Sequence, residues 1–238
     1  MVWARGKAAL AFLGRGSVFI RRSVVRRVVA AVVVLGLAMA LVSLLNEDDH
    51  GRTCPGHAWL DLSGRTVHGS DLAQRSLRCV NLERSIVDGI VSEANLTEAN
   101  LHRVHLRETR LEHVDLSGAD LTDAAGGSTT LAGVKLARAD LRRAALNDAT
   151  LTDVGLQGAR LTATLLRGAV LTRSDLSGAD ARDADLTGVW LIDSNLRGTR
   201  LDGAKLARST WSNVVCPDGS KSAGSERESC DGHLDAGR

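Results

Sequence analysis

Leucine returns every five residues along most of this chain. Stepping by five from Leu96 to position 211 gives 24 positions, and 21 of them are Leu; the others are Gly126, Ala181 and Trp211. Two residues before each of these centres the side chain is always Ala, Val, Thr or Ser. The other positions of each unit are mostly polar. A period of five matches neither the helical period of 3.6 nor the strand period of 2.0. It describes a short unit that turns a corner and repeats, which predicts a solenoid with a narrow interior of Leu and small side chains.

The unit reads Ala-(Asp/Asn)-Leu-x-x, as in Ala94-Asn95-Leu96, Ala99-Asn100-Leu101, Ala119-Asp120-Leu121, Ala139-Asp140-Leu141 and Ala184-Asp185-Leu186. In these motifs the chain resembles the pentapeptide-repeat family over roughly residues 58–215. The resemblance implies an all-β solenoid, a right-handed quadrilateral β-helix with four pentapeptides per coil and the central Leu and preceding small residue pointing inward. Coils would then stack at the inter-strand spacing of ~4.8 Å, and positions 20 apart would share a face. Asp or Asn before Leu suits the corners, where short polar side chains bond to nearby backbone.

The faults in the pattern carry information. Before residue 88 the centres are Leu62, Val67, Leu72, Leu77, Leu82 and Val87, and they restart at Val91. One residue is missing around Asp88-Gly89, which predicts a kink or bulge. Arg65 and Arg75 fall at small, buried positions, so the first coil is expected to be irregular, with Trp59 over its core. Gly126 predicts a thin rung or an outward loop. Trp211 replaces the last Leu and is expected to plug the C-terminal end.

Charge and hydropathy divide the chain. Residues 1–45 carry seven basic and no acidic side chains, and residues 46–238 have a net charge of −5. Val28 to Leu45 is an uninterrupted uncharged, apolar run whose length is near the lower limit for crossing a hydrocarbon core. Arg21, Arg22, Arg26 and Arg27 precede it, and Glu47, Asp48 and Asp49 follow it. The positive-inside rule then predicts a single-pass protein of the cytoplasmic membrane, N-terminus inside and repeats extracytoplasmic. A cleaved signal peptide is the rival reading; Ala38-Met39-Ala40 has the small-x-small form, but apolar residues continue beyond it. The expected plan is a basic cytoplasmic leader (1–27), a transmembrane helix preceding the solenoid (28–45), a linker (46–57), the repeat β-helix (58–215) and a tail (216–238).

Cys54, Cys79, Cys216 and Cys230 flank the repeats. No C-x-x-C spacing supports zinc, and an even count in an exported domain favours disulfides. Three connectivities are open; pairing 54 with 79 and 216 with 230 would staple each end. The tail around Cys216-Pro217-Asp218-Gly219 and Cys230 is similar to that of exported pentapeptide-repeat proteins of GC-rich bacteria. That resemblance implies a disulfide-closed cap; it does not imply a catalytic site.

No spacing suggests a catalytic triad or a phosphate loop, so no enzyme activity, cofactor, metal or small-molecule substrate is expected. His102, His105 and His113 occupy different slots of successive units and should point off different sides. The columns Asn100–Asp120–Asp140 and Arg160–Asp180–Arg200 read as solvated polar ladders. The sharper feature is apolar: Val170 and Trp190 are 20 apart in the same outward slot. Ile192 shares Trp190's unit and Leu165 lies one face earlier. This cluster is a candidate contact site for a protein partner or for self-association.

The leading expectation is a non-enzymatic, membrane-anchored extracytoplasmic scaffold. Two alternatives stand beside it. Some pentapeptide-repeat proteins mimic DNA and protect gyrase; the resemblance would extend to that role if the repeats were cytoplasmic. The anchor, the Cys-closed tail and the mixed-sign charge depart from that type, and no nucleic acid is expected as a partner. The other alternative is a module binding an envelope polymer, for which only Trp190 offers an aromatic platform.

Overall fold

The computed structural model describes residues 60–106, 108–222 and 230. The described residues all belong to the unit His50–Arg238.

Each pentapeptide builds one side of a four-sided coil. On three sides it closes as a turn in which the N–H three residues on reaches back to the central carbonyl. Ala99 N donates to Leu96 O at 3.1 Å, Val104 N to Leu101 O at 3.0 Å and Ala149 N to Leu146 O at 3.3 Å. The third residue of such a turn needs positive φ, and Glu98, Arg103 and Asp148 adopt φ of 57°, 55° and 57° there. The same corner N–H groups bond to the next coil, as Glu98 N does to Ser117 O at 3.0 Å, and this holds non-glycine residues in the conformation.

The fourth side is extended. β1 (Thr66–His68) and β2 (Ile86–Asp88) pair as a two-stranded parallel sheet. β3 (Ile90–Ser92), β4 (Arg110–Glu112), β5 (Thr130–Ala132), β6 (Thr150–Thr152), β7 (Val170–Thr172), β8 (Trp190–Ile192) and β9 (Thr210–Ser212) form a parallel seven-stranded sheet in sequence order. Its register advances by four pentapeptides per strand, with Leu151 opposite Leu171 and Leu171 opposite Leu191. The result is an all-β, right-handed quadrilateral solenoid.

The interior is what the five-residue pattern requires. Leu116, Leu171, Ala119, Ala139 and Ala179 are fully buried in one continuous core. A hydroxyl at the small position bonds inside the wall: Thr129, Thr164 and Thr199 donate to the carbonyls of Leu106, Leu141 and Leu176 at 2.7–2.8 Å. Thr and Ser are therefore tolerated beside Ala because their one polar group is satisfied.

The missing residue does break the sheet. Below the break, bridges such as Asp61–Asn81 span four full pentapeptides; across it, Ser76–Asn95, Asn81–Asn100 and Ile86–His105 each fall one short of that span. β2 and β3 are separated by Gly89 alone, at φ 75°. The first coil is irregular as expected, through α1 (Gly69–Leu72). Gly69 lies against the carbonyl of Ile90, where a side chain would collide with backbone. Arg65 is exposed and Arg75 half-buried; Trp59 lies outside the described residues.

Gly126 is a thin rung and not a loop. Its N–H bonds Ala145 O at 2.8 Å, and the Cδ2 of Leu146 occupies the space a β-carbon would take. Trp211 is buried in the core, and its Nε1 donates to Ser209 Oγ at 2.7 Å. Beyond it the chain reverses at Pro217–Gly219 and returns antiparallel, with Val215 bridged to Lys221 and Ser222 N bonded to Val214 O at 2.8 Å. Cys216 and Cys230 are disulfide-bonded beneath this hairpin, their Cα atoms 5.6 Å apart, and both are buried. Cys79 is also disulfide-bonded; Cys54 lies outside the described residues.

The described residues do not bear out the membrane expectation. α1 is the one helix among the described residues and has four residues, a rise of about 6 Å against a hydrocarbon core of ~30 Å. No helix among the described residues is long and apolar enough to cross a membrane. The transmembrane helix preceding the solenoid, the single-pass extracytoplasmic location, the membrane as a partner and the exported, anchored subtype are withdrawn. The segment on which they rested, 28–45, lies outside the described residues, as do 1–27 and 46–57.

Candidate functional site

The flat side of the solenoid differs from the other three in its outward residues. In each of its strands the central residue is buried and the two flanking residues point out. From β5 to β9 those flanking residues are Thr, Ala, Val, Trp, Ile and Ser, without a charge among them. Arg110 and Glu112, 3.7 Å apart on β4, end this surface below. Along one edge runs the bidentate Arg173–Asp153 pair, at 2.7 and 2.8 Å.

Three of the four residues expected to cluster do so. Val170 of β7 pairs with Trp190 of β8, and Thr172 with Ile192. Trp190 is 51% exposed, while Val170 and Ile192 are half-buried. Leu165, 40% exposed, is not on this sheet: it belongs to the bridge column Ala145–Leu165–Asp185, around the corner. Two further exposed apolar residues, Ile86 and Ile90, flank Gly89 at the break. Ile90 lies in Trp190's column, on the same side of the break.

The polar ladders are tied into local bonds. Asn81, Asn100, Asp120, Asp140, Arg160, Asp180 and Arg200 bridge in one column. The Asn and Asp side chains among them accept from the backbone two residues on, as Asp120 does from Thr122 N at 2.9 Å and Asn100 from His102 N at 3.1 Å. They stand midway along a side and not at its corners. His102 meets Thr122 Oγ1 at 2.8 Å. Among the described residues no group of three His, Cys, Asp or Glu could hold a metal ion.

Two of these carboxylates couple stability to pH. Burial pushes the Asp140 carboxyl up, but hydrogen bonds from the Arg142 side chain and backbone, with the charges of Arg142 and Arg160, more than offset it. The Arg182 hydrogen bond holds Asp180 down in the same way, against a smaller effect of burial. Both therefore lie below the ordinary carboxylate range. A depressed folded-state pKa stabilises the fold above the unfolded value and is lost as pH falls through the folded one. The unfolding midpoint is expected to be level near neutrality and to fall below about pH 4. Asp140→Asn with Asp180→Asn should flatten that acid limb in a thermal titration followed by circular dichroism.

A shallow concavity of about 580 Å³ lies on the opposite edge, among Arg103, His105, Asp123 and Arg143. Arg143 there is committed to Asp123 at 2.7 and 2.9 Å. A second, of about 500 Å³, borders the flat side, with Gly168 and Gly188 in its lining between Arg167 and Arg208.

The family model for pentapeptide repeats matches the chain in eight copies, over residues 92–124, 128–168, 156–191 and 182–214. No curated protein matches it. Among solved structures the chain is similar to HetL, a pentapeptide repeat protein involved in heterocyst differentiation regulation from the cyanobacterium Nostoc sp. strain PCC 7120. The identity is 24% over 68% of this chain and 91% of that one, with a TM-score of 0.34. It is similar to Rfr23, a pentapeptide repeat protein of the cyanobacterium Cyanothece 51142, at 22% identity over 63% of this chain and 90% of that one, TM-score 0.34. Full-length QnrB1, a plasmid-mediated fluoroquinolone resistance protein, matches at 19% identity over 63% of this chain and 92% of that one, TM-score 0.24.

Proposed function

The chain belongs to the pentapeptide-repeat family, and from that premise we propose that it is a scaffold that binds a protein partner through the uncharged side of its solenoid, centred on Trp190. The protein is non-enzymatic: its repeats are committed to a Leu interior and to locally bonded surface ladders. The observation that carries the proposal is a half-exposed Trp next to Val170 and Ile192, on a surface that is uncharged over five strands. Large aromatic side chains dominate interface energetics, and a rigid sheet presents them without an ordering cost.

Site-specific photo-cross-linking tests this. A benzoylphenylalanine in place of Trp190 is expected to give a discrete cross-linked product in cells, and the same probe in place of Arg197, on the neighbouring side, none. Identical products from both positions, or none from 190, would sink the proposal.

A second reading is the gyrase-protecting, DNA-like rod. The run Asp61–Asn81–Asn100–Asp120–Asp140 in one column favours it, as a stripe of acids and amides without a base. With the anchor withdrawn, one ground against it lapses. Restoration of gyrase supercoiling in the presence of a fluoroquinolone would favour it over the Trp190 surface.

A further inference from the structure

The corner beside the flat side is notched. Corner positions in this column hold Ser128, Asp148, Gly168, Gly188 and Arg208, one per coil. Gly168 and Gly188 sit at φ 66° and 68°, and a β-carbon on Gly188 would meet nothing nearer than Gly168 N at 4.0 Å. Positive φ does not demand glycine here, since Asp148 adopts φ 57° in the same column. Two successive glycines therefore leave a gap beside Gly188, one side chain deep and one coil tall, about 5 Å along the axis, while the carboxylate of Asp148 fills the space beside Gly168. It is part of the concavity of about 500 Å³.

The notch is flanked by unlike columns. Val170 and Trp190 follow its glycines by two residues on the apolar side. Arg167 precedes Gly168 on the other, and Arg208 stands at the upper end. The arginines at positions 142, 143, 173 and 182 each pair with a carboxylate; Arg167 and Arg208 have no ion pair among the described residues. Asp148 closes the lower end with its carboxylate against Gly168. That charge repels a second acid below, so the notch is suited to a single carboxylate near Arg208 and Arg167.

Resting on the reading of Trp190 as the contact surface, we propose that the partner segment is an extended peptide of the pattern acidic–x–apolar. Its carboxylate enters the notch at Gly188, near Arg208 and Arg167, and its apolar side chain packs on Trp190. The residues at i and i+2 of an extended chain point to one side and lie about 7 Å apart. The notch column and the Trp190 column are likewise two residues apart in sequence, on either side of one corner, with Val189 between them buried. Arg–carboxylate pairing supplies direction, and the Trp supplies desolvated area.

The probe is a nonapeptide with a central Glu-Ser-Leu in a Gly/Ser background, titrated into isotopically labelled protein. The Gly168 and Gly188 amide resonances and the Trp190 indole are expected to shift together. A Gln-Ser-Leu peptide should bind at least tenfold more weakly, as should the Arg167→Gln/Arg208→Gln protein toward the Glu peptide. Gly188→Asn should abolish binding by filling the notch, and it is compatible with folding because Asn213 holds φ 53° at a corner of this solenoid. Equal binding of the Glu and Gln peptides, lost only in Trp190→Ala, overturns the acidic pattern and leaves the Trp190 surface standing. No shift with either peptide overturns the inference outright, while cross-linking from position 190 decides the broader reading independently.

Discussion

Replacing Leu171 with Ala is expected to destabilise the solenoid by about 2–5 kcal/mol, the range for emptying a packed core position. Leu171 is fully buried at the centre of β7, between Leu151 and Leu191 in the neighbouring coils. The cavity would face both neighbours, because each coil contributes one Leu to this column and Ala169 beside it cannot reach across. Each coil contacts only the next, so the loss weakens two interfaces at once. Urea unfolding should show a lower midpoint. A shallower slope would indicate that the coils on either side have begun to unfold separately. Leu201→Ala supplies the internal comparison: Leu201 is in the last coil and 7% exposed, and its loss should cost less. Equal costs at the two positions would mean that the interior collapses freely around a missing side chain, contrary to the packing described above.

Cys230→Ser is the second large effect. The bond to Cys216 closes a loop with a sequence separation of 14. Chain entropy assigns such a crosslink about 3 kcal/mol, model-dependent in origin. The loss should be local. The hairpin that covers the end is otherwise held by bonds such as Val214 N to Ser222 Oγ at 2.9 Å and Cys216 N to Ser220 O at 2.7 Å. Without the crosslink the amides of Val214, Cys216 and Ser222 should exchange far faster, while those of β5 to β7 keep their protection. Substitution is the cleaner route than adding reductant, which would also reach the disulfide at Cys79. Unchanged protection at Val214 would show that the hairpin hydrogen bonds suffice.

Much of this architecture is legible in the amino-acid order because one geometric rule generates it. A five-residue unit with a Leu centre and a small residue two before it leaves a single way to bury both. Hence the buried columns and the core position of Trp211 follow from spacing, while at Gly126 spacing leaves a thin rung and an outward loop both open. The pairing of Val170 with Trp190 also follows from spacing, and needs only the knowledge that four pentapeptides make a coil. What spacing hides is anything that depends on a side chain being absent. The notch arises from glycine at two successive positions of one corner column, and glycine at a corner reads first as a turn requirement. Only the positive φ of Asp148 in the same column shows that the requirement is weaker than it looks. The short helix Gly69–Leu72 is hidden for another reason: it results from fitting a shortened coil onto a full one, a tertiary constraint with no local signature. The membrane reading failed differently. It came from apolar composition and flanking charge in residues 28–45, to which the repeat geometry adds nothing.

The constant one-coil offset between paired strands has a consequence for how such a chain can change length. Adding or deleting a single residue rotates every later side chain off its column, and among the described residues the molecule tolerates this once, at Gly89, where the two-stranded sheet ends and the seven-stranded one begins. Adding or deleting a whole coil rotates nothing. Lineages of this protein are therefore free to vary in steps of one coil and are constrained against other lengths. A partner that docks on the flat side would experience such a change as the gain or loss of one row, with the remaining rows still in place.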